Sequence, residues 1–231
     1  MKIREFGECT EVCGNQYALS LYTLTESVRA KDVLEVGMGW GWSSRAFAMS
    51  LENRTDTRLV SIDREPARVH AENKHAVQDT GIQWDVLEGN SADVEVDGQF
   101  DLIYIDANPY MAHADFLRFY PKLRPGGFIV MDGYGGQIGP TEAVDSLRES
   151  YPFTPLSYHP GYAHAVHQKP KPLGKDGFTA ACTSCGTIVN YINWRQVDKA
   201  AREHSNSHQH NVKVRVEPRD ISYMVIQKGA A

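Results

Sequence analysis

Nowhere in the 231 residues does an apolar run reach the roughly 18 that a membrane-crossing helix requires, so no membrane span is expected. Cysteine is scarce, with four in the chain, too few for a dense disulfide framework. Thiols at this level read as metal ligands or free side chains of a reducing compartment. The stretch 1–9 carries charges and no apolar core, unlike a secretory signal. These absences together give the expectation of a cytoplasmic protein with no membrane partner. There is no internal repeat. Charge of one sign is missing from the end of the chain. Residues 1–168 carry 14 Lys and Arg against 24 Asp and Glu, whereas residues 169–231 carry 10 against 5. A basic tail on an acidic body either meets an anionic partner or docks on the body itself.

What is present is an alternation of short apolar runs and helical spacings. Tyr17, Leu21, Leu24 and Val28 share one helical face. Apolar runs then end in polar or glycine-rich loops at 33–36, 59–63, 84–89, 100–106 and 128–132. Helical segments are expected at 43–51, 66–78 and 112–123, with a turn at 124–127 and a closing hairpin at 154–158 and 162–168. This βαβ rhythm predicts an α/β fold, a doubly wound and mostly parallel seven-stranded sheet over residues 1–168. Residues 169–177 hold three Lys, two Pro and two Gly and read as a linker. A small module follows at 178–215, then a strand or tail at 216–231. Either the late strand around 223–226 joins the main sheet, which makes the module an insertion, or it does not.

Ligands of such sheets bind beyond the carboxyl ends of the strands. Glu35-Val36-Gly37-Met38-Gly39-Trp40-Gly41 ends the first strand and opens a helix. A dinucleotide fingerprint needs a glycine where Trp42 stands. An acidic residue before the loop also disfavours a pyrophosphate and suits a cationic sulfonium. Asp63 ends the second strand, where a carboxylate can accept both ribose hydroxyls. Asp106 and Asp132 end the fourth and fifth strands, each a candidate base or metal ligand. His113 starts the following helix and is a further candidate base. His164 and His167 are three apart on the hairpin, on opposite strand faces, so they are not expected to share a metal.

With those residues together, the chain resembles class I, Rossmann-like S-adenosylmethionine-dependent methyltransferases. Residues 35–41 resemble the family's first motif, Gly89-Asn90-Ser91-Ala92 its adenine loop, and 100–106 its fourth motif. The resemblance implies a cofactor set of Glu35, Gly37, Gly39, Gly41, Ser43, Asp63, Asn90, Ser91 and Asp106. It also implies catalytic roles for Asp106, Asp132 and His113. The two strand-end aspartates are similar to those of small-molecule O-methyltransferases that bind a divalent cation such as magnesium. There the second Asp is usually followed by Asn; here Gly133 follows. The expected activity is methylation of a hydroxyl, carboxyl or amine on a small molecule or peptide. The alternative is a nucleic-acid methyltransferase that holds its substrate through the basic C-terminal module, and Asn108-Pro109-Tyr110 partly matches an amino-methylating motif.

In the module, Cys182 and Cys185 are followed by His204 and His208. This order of ligands resembles a Cys₂His₂ zinc finger, with a longer loop than usual and His210 competing with His208. Structural zinc is therefore expected as a second cofactor.

Overall fold

In the computed structural model of the chain, the residues described are 14–171, 178–182, 188–191, 212–216 and 224–226. They divide into two compact units, one ending at Lys169 and the other beginning at Pro170. No described helix is long and apolar enough to cross a membrane.

The first unit is built on α1 (Gly14–Val28), β1 (Asp32–Val36), α2 (Trp42–Leu51), β2 (Arg58–Asp63), α3 (Ala71–Asp79), β3 (Gln83–Glu88), β4 (Phe100–Ile105), α4 (Ala112–Phe119), β5 (Leu123–Tyr134), α5 (Ile138–Leu147), β6 (Thr154–His159) and β7 (Tyr162–Gln168). Its sheet has the order β3-β2-β1-β4-β5-β7-β6. The first five strands in that order run parallel; β7 pairs antiparallel with β5, and β6 antiparallel with β7. Because β1 is covered on both faces, Val33, Leu34 and Val36 are all fully buried, and an unbroken apolar run is what such a strand requires. Period-two alternation divides them. Val33 packs with Leu21, Phe47 and Leu51 under α1 and α2. Leu34 and Val36 pack with Phe116, Phe119 and Val144 under α4 and α5.

Three local expectations are corrected. The turn expected at 124–127 lies within β5: Phe100 pairs with Leu123 and Leu102 with Phe128, so four residues are accommodated between these pairs. Gly126 takes φ 83°, and a Cβ on Gly127 would sit 2.8 Å from the Asp101 carbonyl oxygen, so the glycines serve a bulge rather than a strand end. The helix at 66–78 is a single 3₁₀ turn, Pro66–Arg68, followed by α3. The helix α5 has no counterpart in the sequence reading. Gly139 and Pro140 hide its start, although proline is well tolerated in a first helical turn.

In the second unit, β8 (Phe178–Cys182), β9 (Ile188–Tyr191), β10 (Val212–Val216) and β11 (Met224–Ile226) form an antiparallel sheet of order β11-β10-β8-β9. The late strand therefore pairs with β10, and it is the hairpin β6–β7 that completes the main sheet.

Candidate functional site

The carboxyl ends of β1, β2, β3 and β4 border a cleft of about 520 Å³. Gly37, Gly39, Asp63, Asn90, Ser91 and Asp106 all line it. Gly37 has φ 95°, and a Cβ there would lie 2.1 Å from the Asp106 carbonyl oxygen. Glycine is thus needed twice over: for the left-handed backbone and for the close approach of β1 and β4. Asp63 shapes the same loop. Its Oδ2 accepts from the amides of Met38 at 2.8 Å and Gly39 at 3.1 Å, and its Oδ1 from the Glu65 amide at 2.8 Å.

Five of the expected residues do not line this cleft: Glu35, Gly41, Ser43, His113 and Asp132, which stands beside it. Glu35 is fully buried behind the loop, accepting from Ser43 at 2.5 Å, Ser44 at 2.7 Å and Ser61 at 2.6 Å. Burial pushes its carboxyl up to about 7, against the pull of the three hydroxyls. Ser43 spends its hydroxyl on Glu35, so it too faces inward. Gly41 starts α2 with φ 88°, packed where a Cβ would meet Val69 at 2.7 Å. His113 is exposed on the first turn of α4, away from the cleft.

Beside the cleft, Asp106 and Asp132 stand at the ends of neighbouring parallel strands, each held by groups distant in sequence. Asp106 Oδ2 accepts from Tyr104 at 3.1 Å and Tyr17 at 3.2 Å, and the two phenols are 2.5 Å apart. Protein packed around the carboxylate, and second the charge of Asp132, push the Asp106 carboxyl well above the ordinary range. Asp106 itself opens onto the cleft, and solvent entering there moderates the shift. The same burial raises both phenols, which stay neutral donors. Asp132, 7% exposed, accepts from the Tyr158 hydroxyl at 3.0 Å. His164 Nδ1 lies 2.7 Å from Asp132 Oδ1, an ion-pair distance without the alignment of a hydrogen bond. His164 Nε2 in turn meets Ser20 Oγ at 2.8 Å. As expected, His167 faces the other way, against Tyr120 and the Pro152 carbonyl.

Three lining residues went unread in the sequence: Arg64, Glu65 and Arg68. Arg68 sits 4.8 Å over the Trp40 ring. Asn108 caps its own turn, accepting from the Tyr110 amide at 3.1 Å, so its side chain is occupied locally rather than aimed at an acceptor. Tyr17, Tyr158 and His164 gave no signal because nothing local distinguishes them from core residues. Of the zinc set, Cys182 closes β8. Cys185, His204, His208 and His210 lie outside the described residues. Among the described residues, no group of three His, Cys, Asp or Glu side chains could hold a metal ion.

Residues 34–134 match the family model of a methyltransferase domain. An O-methyltransferase-named protein of Mycobacterium sp. (strain KMS) is 32% identical over 142 residues, covering 56% of this chain and 63% of its own length. One from Mycolicibacterium vanbaalenii is 33% identical over 138 residues, covering 54% and 58%. The chain thus spans less than two thirds of these relatives. Among solved structures, the O-methyltransferase TomG of Streptomyces achromogenes, in complex with SAM, superimposes with TM-score 0.54 at 21% identity over 68% of this chain and 80% of that one. The O-methyltransferase of Bacillus cereus, in complex with SAH, gives 0.55 at 19% identity over 71% and 84%. The seven-stranded sheet has the Rossmann-like methyltransferase fold.

Proposed function

We propose that the chain transfers the methyl group of S-adenosylmethionine to a hydroxyl of a small molecule. The observation that carries this reading is the cleft that joins Gly37, Asp63 and Asn90-Ser91, from three separate strand ends, to Asp106. In this reading Gly37 and Gly39 let the backbone approach the amino-acid half of the cofactor, and Asp63 accepts the ribose hydroxyls. Asn90 and Ser91 border the adenine. Asp106, on the opposite side, takes the acceptor proton. The O-methyltransferase names of the mycobacterial relatives support an oxygen acceptor over an amine. A cytoplasmic setting is part of this proposal, since the four cysteines read as metal ligands or free thiols rather than as a disulfide framework.

Calorimetry on the full chain tests this directly. S-Adenosylmethionine and its demethylated product should both bind, and Asp63→Ala should weaken binding by about 1.5–3 kcal/mol, the scale of a lost charge-assisted hydrogen bond. Absence of binding to either compound rules the reading out. So does a dinucleotide bound in the cleft.

The second unit is proposed to hold one zinc ion through Cys182, Cys185, His204 and either His208 or His210, a closed set with no open position and hence a structural role. Its large apolar side chains between 178 and 211 are few, mainly Phe178, Ile188, Val189, Tyr191, Ile192, Trp194 and Val197. That is too little to offset the ordering entropy of more than thirty residues without help from a metal. Elemental analysis of protein purified without chelator should find one zinc per chain, and chelation should melt this unit alone. A zinc content of zero refutes the assignment.

A further inference from the structure

The groups around Asp132 do not suit the divalent cation that two strand-end aspartates suggest. A hard cation such as magnesium wants about six oxygen ligands in near-octahedral array. The position after Asp132 offers none, because it is Gly133. Its φ of 75° would strain any longer side chain, and a Cβ there would lie 2.9 Å from Gln137 Cδ, so the Gln137 side chain would have to move. Gln137 lines the recess that Asp106 and Asp132 share. On the other side, the His164 ring stands 2.7 Å from Asp132 Oδ1, and Tyr158 donates to the same oxygen at 3.0 Å. His164 is fully buried, fixed by Ser20 behind it and by Tyr158, whose ring centroid is 4.4 Å away. The imidazole and a cation compete for the space beside one carboxylate oxygen, and here the ring is built into the core.

We propose that His164, with Gly133 and Gln137, closes this site to divalent cations, so that the domain methylates an acceptor presenting one hydroxyl rather than a chelating pair. The inference rests on the methyl-transfer reading above. A cation between two carboxylates earns its place by chelating both oxygens of a vicinal diol; without it, one hydroxyl must be positioned and deprotonated by protein groups alone. The step then balances within the site. The acceptor O–H bond breaks with its proton passing to Asp106, and the oxygen forms a bond to the methyl carbon. The sulfonium carbon–sulfur bond breaks, its electron pair staying on sulfur as the neutral thioether. Asp106 returns the proton to solvent. His164 is a positioning residue: it touches Asp132, not the reacting atoms.

The test uses the full chain saturated with S-adenosylhomocysteine, with Mn²⁺ as the probe. Imidazole resonances of His164, assigned by their loss in His164→Gln, should stay sharp as Mn²⁺ is added, since no paramagnetic ion sits beside Asp132. Selective broadening of those resonances overturns the proposal, and it requires no variant to fold in the presence of the metal. In parallel, methyl transfer to phenol and to catechol should be compared with and without added magnesium. The expected result is transfer to phenol that magnesium leaves unchanged. Transfer confined to catechol and raised many-fold by magnesium overturns the proposal while leaving the methyltransferase reading intact. Failure of S-adenosylhomocysteine to bind at all, seen by calorimetry before either arm, is instead a failure of that reading.

Discussion

Asp106→Asn should lower the rate of methyl transfer by about 10²–10⁴-fold, the usual contribution of a positioned general base, while leaving cofactor affinity nearly unchanged. The separation follows from the geometry. The cleft-lining groups Gly37, Asp63, Asn90 and Ser91 belong to the ends of β1, β2 and β3, whereas Asp106 ends β4, next to Asp132 on β5. Asparagine keeps the size of the side chain and can still accept from Tyr17 and Tyr104 at one oxygen, so the local packing survives. What it loses is the ability to take a proton. Burial and the neighbouring Asp132 raise the Asp106 carboxyl, which strengthens it as a base once ionised but delays its ionisation. The wild-type rate should therefore rise with pH as Asp106 loses its proton, and the variant should lack that rise. Calorimetry of the variant with S-adenosylhomocysteine, set beside single-turnover rates, checks both halves. Equal rates for variant and wild type dismiss Asp106 as the base.

Glu35 should make the stability of the first unit fall as pH rises from about 4.5 to about 7. In the folded state its carboxyl is held up to about 7 by burial, against an ordinary value of 4.5. Across that window the unfolded chain has released the proton and the folded chain still holds it. Folding then binds protons, and each pH unit upward removes stability. The contribution is whole below the unfolded value and is lost once pH passes the folded one, a total of about 3 kcal/mol. Other groups titrate too; Asp101, held low by the Asp32 amide and Arg124 despite partial burial, acts in the opposite sense. The clean readout is the difference between wild type and Glu35→Gln, whose amide does not titrate. That difference should shift by about 3 kcal/mol in favour of the variant between about pH 4 and about pH 8, in denaturant titrations followed by near-ultraviolet dichroism. A pH-independent difference shows that the Glu35 carboxyl titrates alike in the folded and unfolded chain.

The buried Glu35 also marks where local reading reached its limit. Its acidity before a glycine loop suggests a ligand contact. Strand alternation, however, puts it on the face of Val33, beneath α2, and α2 brings Ser43 and Ser44 down onto it. Three hydroxyls occupy the carboxylate that a cationic ligand was expected to meet. A similar reversal befell 124–127, where turn chemistry was legible but its use as a bulge within β5 depended on the partner strand.

The sequence by itself determined the parts whose partners are close along the chain. The alternation of buried strands and helices, the glycine loop after β1, and the carboxylates at the ends of β2, β4 and β5 are all local patterns, since each strand's end fixes where its next residue goes. Tertiary structure alone decided what surrounds those carboxylates. Ser20 and His164 are 144 residues apart, Tyr17 and Asp106 89 apart, and Tyr158 and Asp132 26 apart. They meet because β7 pairs antiparallel with β5 while α1 packs across the sheet, and no short-range periodicity records such a meeting. Whether Asp132 faces a cation or an imidazole is thus a property of the assembled sheet, not of the strand that carries it.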